Sequence, residues 1–135
     1  YSTIDDVGRC VNPLIVHGQT HGGIVQGAGQ ALFEHCFVDH NSGQPLAGSL
    51  MDYAISRAAD FPSFKTEIAE VLSPTNPLGI KAGGEGGTTP ALAAIVNAVV
   101  DALADFGVED IAMPVSPQRI WTILQAASLQ SNQKP

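Results

Sequence analysis

The stretch Gly79-Ile80-Lys81-Ala82-Gly83-Gly84-Glu85-Gly86-Gly87-Thr88-Thr89-Pro90 sets one carboxylate between two pairs of glycines, directly ahead of a Thr-Pro pair. Thr89-Pro90 has the form of a helix start. A hydroxyl residue serves as N-cap, and proline takes the first helical position, where its missing N–H costs nothing. The helix so opened runs from about Ala91 to Phe106 and stops at Gly107, a residue suited to the C′ position. It is apolar nearly all round, which predicts burial. Glu85 meets two opposing influences there. Burial raises a carboxyl pKa, while the helix dipole and N–H donors lower it. If the donors prevail, Glu85 stays ionised, as a general base must be. Simple helix capping by Glu85 is the plainer alternative. Thr88 and Thr89 already supply a cap, however, and a cap has no use for the surrounding glycines.

Working outward, Asn12-Pro13 repeats the same start signal and opens a helical stretch from Leu14 to His35. Gly18, Gly22, Gly23, Gly27 and Gly29 lie inside it. Each costs roughly 1 kcal/mol relative to alanine in a helix, so close backbone approach must compensate. Tight packing accounts for this most simply, and a flat ligand against the helix is the functional alternative. Tyr1 to Asp6 reads as a strand. Cys36 to Asp39 and Gln44 to Ala47 flank the turn Asn41-Ser42-Gly43 as a strand pair. Lys65 to Leu72 alternates with two mixed faces, the pattern of an edge strand. A third helix runs from Ser116-Pro117 to about Ala127, with Ile120, Trp121 and Leu124 on one face. The fold class is therefore α+β: a two-layer domain with a small mixed sheet and about three helices over residues 1–128, then a polar tail at 129–135.

Composition excludes several classes of function. The chain has 135 residues, 44% apolar and only 14% charged, with a net charge of −7. That charge density is below the roughly 25% usual for soluble domains, so something else is expected to cover much of the surface. Six scattered Lys and Arg make no basic patch for nucleic acid or an anionic membrane. Cys10 and Cys36 form no CxxC or zinc spacing, and reduced thiols in a cytoplasmic protein are the expectation. No apolar run reaches transmembrane length, and there is no signal peptide. Tyr1 leads at once into a strand-like stretch, the start expected of a piece of a longer chain.

Rival motifs fail on order or context. Lys81 precedes the glycines, whereas a phosphate loop of the GxxxxGK[ST] type needs its lysine after them. Gly27-Ala28-Gly29 lies within a helical stretch and is no dinucleotide fingerprint. His17 and His21 stand four apart on one helix, but Gly18, Gln19 and Thr20 lie between them with no HExxH glutamate, which favours packed histidines over metal ligands. No metal-ligating residue is assigned, and no serine sits in a nucleophile elbow.

Two segments carry a family resemblance. Asp6-Val7-Gly8-Arg9, Asn12-Pro13, Gly18-Gln19, Gly22-Gly23-Ile24-Val25-Gln26-Gly27-Ala28-Gly29, Ala31-Leu32 and Glu34 together resemble a segment of the large subunits of molybdenum hydroxylases, the xanthine dehydrogenase, aldehyde oxidase and CO dehydrogenase family. Gly83-Gly84-Glu85 resembles that family's Gly-Glu catalytic loop, and Ser116-Pro117-Gln118-Arg119-Ile120-Trp121 its last helix. The resemblance spans nearly the whole chain apart from the tail. The residues ahead of the glutamate depart slightly, being Ala82-Gly83-Gly84 where many members have Gly, a small residue, then Gly. Gly86-Gly87 after it looks more like bacterial aldehyde-type branches than the purine-oxidising branch.

The resemblance implies an oxidoreductase that hydroxylates an aldehyde or heteroaromatic carbon with water-derived oxygen at a molybdenum–molybdopterin centre, the cytosine dinucleotide form of the pterin among the candidates. Glu85 would be the general base, Gln26 a hydrogen-bonding partner of the cofactor and Gly84 a point of close backbone approach to it. Iron–sulfur (2Fe-2S) and FAD groups would sit on partner subunits or domains. Family subunits are several times longer, so the chain is expected to be a C-terminal piece of one, inactive and without cofactor alone. Its partners would be the remainder of the large subunit, the iron–sulfur and FAD components and a small-molecule substrate. An exposed apolar face is expected where the rest would pack, with self-association as one way to cover it. Two other readings stay open: a non-enzymatic module holding an anion or nucleotide on the loop at 83–87, and a structural α+β domain with Glu85 exposed and no pocket beside it.

Overall fold

The computed structural model describes residues 1–131 and divides the chain into two compact units. The first comprises Tyr1–Gly27 and Ser56–Ala91; the second comprises Ala28–Ile55 and the chain from Leu92 onward.

In the first unit, β1 (Ser2–Asp6) pairs in parallel with β2 (Lys65–Ala69), with Ser2 opposite Lys65 and Asp6 opposite Ala69. Only these two strands form the sheet among the described residues, so both are edges. The mixed character expected from sequence reduces to a single antiparallel bridge, Gly8 to Ile80. β2 ends at Ala69 and not at Leu72, and two residues on the Val71 N–H donates to the Asp6 side chain (3.2 Å) instead of to a backbone carbonyl. The long helix α1 (Pro13–Leu32) starts as its sequence dictates. Asn12 Oδ1 accepts the Ile15 N–H at 3.3 Å, and the Asn12 carbonyl accepts that of Val16 at 3.1 Å. Val7, Thr20, Ile24 and Ala91 are the buried side chains of this unit.

In the second unit α1 ends three residues before His35, where the N–H groups of Phe33 and Glu34 both turn back to the Gly29 carbonyl. The two strands expected around Asn41-Ser42-Gly43 reduce to one antiparallel bridge, Val38 to Pro45. Proline at 45 has no N–H to extend the ladder. The turn itself is real: Asp39 accepts the N–H groups of Asn41 and Ser42 and the Ser42 hydroxyl, and these donors hold its carboxyl below the usual range. Beside it, the Tyr53 hydroxyl donates to Glu34 (2.5 Å), which pushes the phenol up.

Helix α2 (Thr88–Ala102) begins one residue before the expected N-cap and passes from the first unit into the second. It tightens into a 3-10 turn at Ala104–Phe106 and stops at Gly107, whose φ of +73° only glycine adopts easily. The expectation that α2 is buried fails. Ala91 is its one buried residue, and Ala93, Ala94 and Ala98 are exposed. An all-apolar helix is covered only where other chain packs on it, and here Leu92, Ile95, Val96, Val99 and Val100 are only half-buried. Helix α3 (Pro117–Ser131) is capped by the Ser116 hydroxyl, which accepts the Arg119 N–H at 3.3 Å. It runs past Ala127, so the tail placed at 129–135 begins inside the helix, and 132–135 lie outside the described residues. Trp121 is 62% exposed and stands apart from the half-buried Ile120 and Leu124. No described helix is long and apolar enough to cross a membrane.

Candidate functional site

The glycine-flanked glutamate lies wholly in the first unit, held between α1 and the end of β1. Its approach is pinned to the segment after β1. The Arg9 N–H donates to the Gly79 carbonyl (2.9 Å), Arg9 Nε to the Leu78 carbonyl (2.9 Å) and the Lys81 N–H to the Val7 carbonyl (2.9 Å). Lys81 Nζ pairs with Asp6 Oδ2 at 2.5 Å, the one ion pair among the described residues. Asp6 Oδ1 also accepts the N–H groups of Gly8 and Val71. One carboxylate thus ties together the end of β1, the exit of β2 and the entry of the loop. Lys81 first, then the Gly8 N–H, hold the Asp6 carboxyl below its ordinary range.

The loop itself is in contact on both sides of Glu85. A Cβ on Gly83 would stand 2.8 Å from Val7 Cγ1. The Gly84 carbonyl accepts Gln19 Nε2 at 2.7 Å. Gly86 lies over Asp5, and Gly87 lies against α1, where a Cβ would collide with the Thr20 carbonyl oxygen and come within 3.1 Å of the Ile24 nitrogen. The approach is mutual, since a Cβ on Gly23 would stand 2.9 Å from the Thr88 nitrogen. Two backbones therefore meet with no side chain between them, which explains Gly23 and Gly87 in the sequence. Gly18 and Gly22 face open space, so packing within this chain does not account for them.

Glu85 takes a different part from its neighbours. Its backbone carbonyl accepts the N–H groups of Thr88 (3.1 Å) and Thr89 (3.2 Å), so it closes the start of α2. The expected cap by Thr88 and Thr89 is replaced by this backbone cap; the threonines are inside the helix as donors. The Glu85 side chain is exposed, and among the described residues no ion pair or side-chain hydrogen bond engages it. No cavity of this chain is lined by the Glu85 side chain among the described residues. What the chain does form is a cavity of about 440 Å³ against the other side of the loop, walled by Gly83, Gly84, Gln19, Val7, Ile15 and Val16. Glu85 does not line that cavity, so its exposed side chain is also what a structural loop would show. An anion site at the start of α2 loses its natural donors, because Thr88 and Thr89 are committed to Glu85 and Pro90 has no N–H.

Gln26 is exposed on α1, seven residues after Gln19 and hence on the same face of the helix, with Gly22 and Gly23 between them. Gly84 is exposed too, and a Cβ there would meet nothing within 4 Å. Sequence reasoning singled out Gln26 and passed over Gln19 as a site residue, yet Gln19 is the glutamine that touches the loop. The signal was available, since Gln19 shares the helical face of Gln26. His17 Nδ1 and His21 Nε2 both meet Thr66 Oγ1, at 2.8 and 3.0 Å. The histidine pair packs α1 against β2, and no cluster of three or more His, Cys, Asp or Glu suited to a metal occurs among the described residues.

Residues 1–62 match the family model described as the molybdopterin cofactor-binding domain. The chain is 44% identical over 128 residues to the 6-hydroxypseudooxynicotine dehydrogenase complex subunit gamma of Paenarthrobacter nicotinovorans, covering 93% of this chain and 16% of that subunit. It is 33% identical over 129 residues to the carbon monoxide dehydrogenase large chain of Hydrogenophaga pseudoflava, covering 96% of this chain and 16% of that one. Among solved structures, quinoline 2-oxidoreductase from Pseudomonas putida 86 superposes with a TM-score of 0.87 at 41% identity, over 92% of this chain and 16% of that one. The chain thus spans about one-sixth of the length of these relatives.

Proposed function

We propose that this chain, which belongs to the family of molybdopterin-binding large subunits, supplies the general base and one wall of a molybdenum hydroxylase active site. The observation that carries this reading is the loop at 83–87: its glycines are fixed by α1 and the end of β1, and only the Glu85 side chain is left free. A base must combine a fixed origin with an unengaged carboxylate, and both are present.

The residues fit the cofactor that the family name specifies. Open space beside Gly84 and Gly22 leaves bare backbone on which a flat group can lie. Gly84 would give close backbone approach, and the exposed Gln26 amide, able to donate and accept at once, would hydrogen-bond the group. The cytosine dinucleotide form of the pterin is one candidate. When bound, the molybdenum–pterin group supplies the two-electron oxidation chemistry. Glu85 accepts a proton at its carboxylate as water-derived oxygen is transferred to an aldehyde or heteroaromatic carbon. Gln19 holds the Gly84 carbonyl and so keeps the loop from drifting. The remaining walls, the substrate contacts and the docking of iron–sulfur and FAD components belong to the rest of a full subunit and its partners in the cytoplasm. Alone, the chain would not turn over.

Glu85→Gln in the full-length subunit tests this. Loss of a general base lowers kcat by about 100-fold or more at full metal loading. Turnover near the wild-type level with the metal fully loaded would remove Glu85 from the mechanism.

A further inference from the structure

Among the described residues Thr20 is the one polar residue with a buried side chain, at 3% exposure, and the chemistry above makes no use of it. A buried hydroxyl needs a partner, and this one donates to Asp5 Oδ2 at 2.8 Å. The other oxygen of the same carboxylate, Asp5 Oδ1, stands 3.4 Å from the position a Cβ on Gly86 would take. The Thr20 carbonyl meets Gly87 from the helix side. Both residues that follow Glu85 therefore rest on this pair, one from α1 and one from β1. The residues that precede Glu85 are held by different groups: Lys81 by Val7 and Asp6, Gly83 by Val7, and Gly84 by Gln19.

We propose that Asp5 and Thr20 form a latch under the glutamate loop that sets the direction in which Glu85 leaves the backbone, so that both are positioning residues for the base. The inference rests on the reading of Glu85 as that base. Turning the peptide between Glu85 and Gly86 requires Gly86 to move against Asp5, and Asp5 is itself tied to a buried hydroxyl. The neighbouring groups are otherwise engaged. Asp6 pairs with Lys81, His17 and His21 meet Thr66, and the Tyr1 phenol is raised by burial first and by Asp5 second.

The test uses the full-length subunit with four substitutions. Thr20→Val keeps the shape and removes the donor; Asp5→Ala removes the acceptor. Thr20→Ser and Asp5→Asn each preserve the hydrogen bond. In cofactor-free protein, hydrogen exchange of the amides at 83–88 should quicken by about tenfold in Thr20→Val and Asp5→Ala, and stay near wild type in the two conservative variants. In loaded enzyme, kcat should fall in the first two with KM unchanged. Asp5→Asn, which keeps the hydrogen bond, should retain kcat near wild type. Unaltered exchange in both Thr20→Val and Asp5→Ala overturns the latch, whatever the activity. Full turnover by Glu85→Gln removes the catalytic reading instead and leaves the exchange result to stand by itself.

Discussion

Helices α1 and α2 open on the same kind of sequence signal and are capped in different ways. α1 begins at Asn12-Pro13 and spends the Asn12 side chain on its cap, through a 3.3 Å bond to the Ile15 N–H. α2 begins ahead of Pro90 and is capped by a backbone carbonyl, that of Glu85, which takes the N–H groups of Thr88 and Thr89. A side chain committed to capping is unavailable for chemistry. A backbone cap satisfies the same orphan donors and leaves the carboxylate free. The difference separates a helix start that uses its side chain from one that leaves a carboxylate free, although the two are alike in sequence.

The same comparison can be broken at several points. The largest effect on stability is expected where the loop ahead of α2 meets the middle of α1. Gly87→Ala drives a methyl into the Thr20 carbonyl, where only backbone could give way, and should cost about 2–3 kcal/mol in thermal or denaturant unfolding. Gly22→Ala, where a Cβ meets nothing within 4 Å, should instead leave stability equal or improve it by about 0.5–1 kcal/mol. Next comes the pair of caps. Asn12→Ala should cost about 1 kcal/mol, and Asn12→Gly only a few tenths. Glu85→Ala should change unfolding by less than about 0.5 kcal/mol, because its cap is made by backbone; a loss as large as that of Asn12→Ala would show that the side chain caps after all.

The smallest effect concerns the Asp6 clamp. Its carboxyl is held low in the folded chain by Lys81 first and by backbone N–H groups after it. A group depressed on folding contributes stability above its unfolded pKa and loses it as pH falls through the folded value. The clamp should therefore be intact at neutral pH and weaken below the ordinary carboxylate range, near pH 4 and lower. Lys81→Met should flatten the Tm-against-pH curve there while leaving its shape above pH 6 unchanged. Both groups are substantially exposed, so the change will be modest and will shrink with added salt.

Much of the chain was legible because its signals are local. Asn12-Pro13, Ser116-Pro117 and Gly107 act through a few neighbouring backbone groups, and each start or stop falls within a residue or two of its predicted place. The strand pair around residues 38–45 was over-read, since alternation is visible in sequence while the missing N–H of Pro45 matters only once a partner strand is in register. Burial of α2 was over-read for a related reason: an apolar helix states what it could bury, and covering it takes chain that the described residues do not provide.

The amino-acid sequence by itself determined the family, the helix starts and the candidacy of Glu85, because motif order and turn chemistry are properties of neighbouring residues. Only the tertiary structure decided what the glycines are for. It put Gly23 against Gly87 and left Gly18 and Gly22 open, chose Gln19 as the glutamine that holds the loop, and set Asp5 and Thr20 beneath it. Those contacts join residues some 60 to 80 positions apart, and no local rule relates them. They follow from two backbones close enough that only a hydrogen atom fits between them.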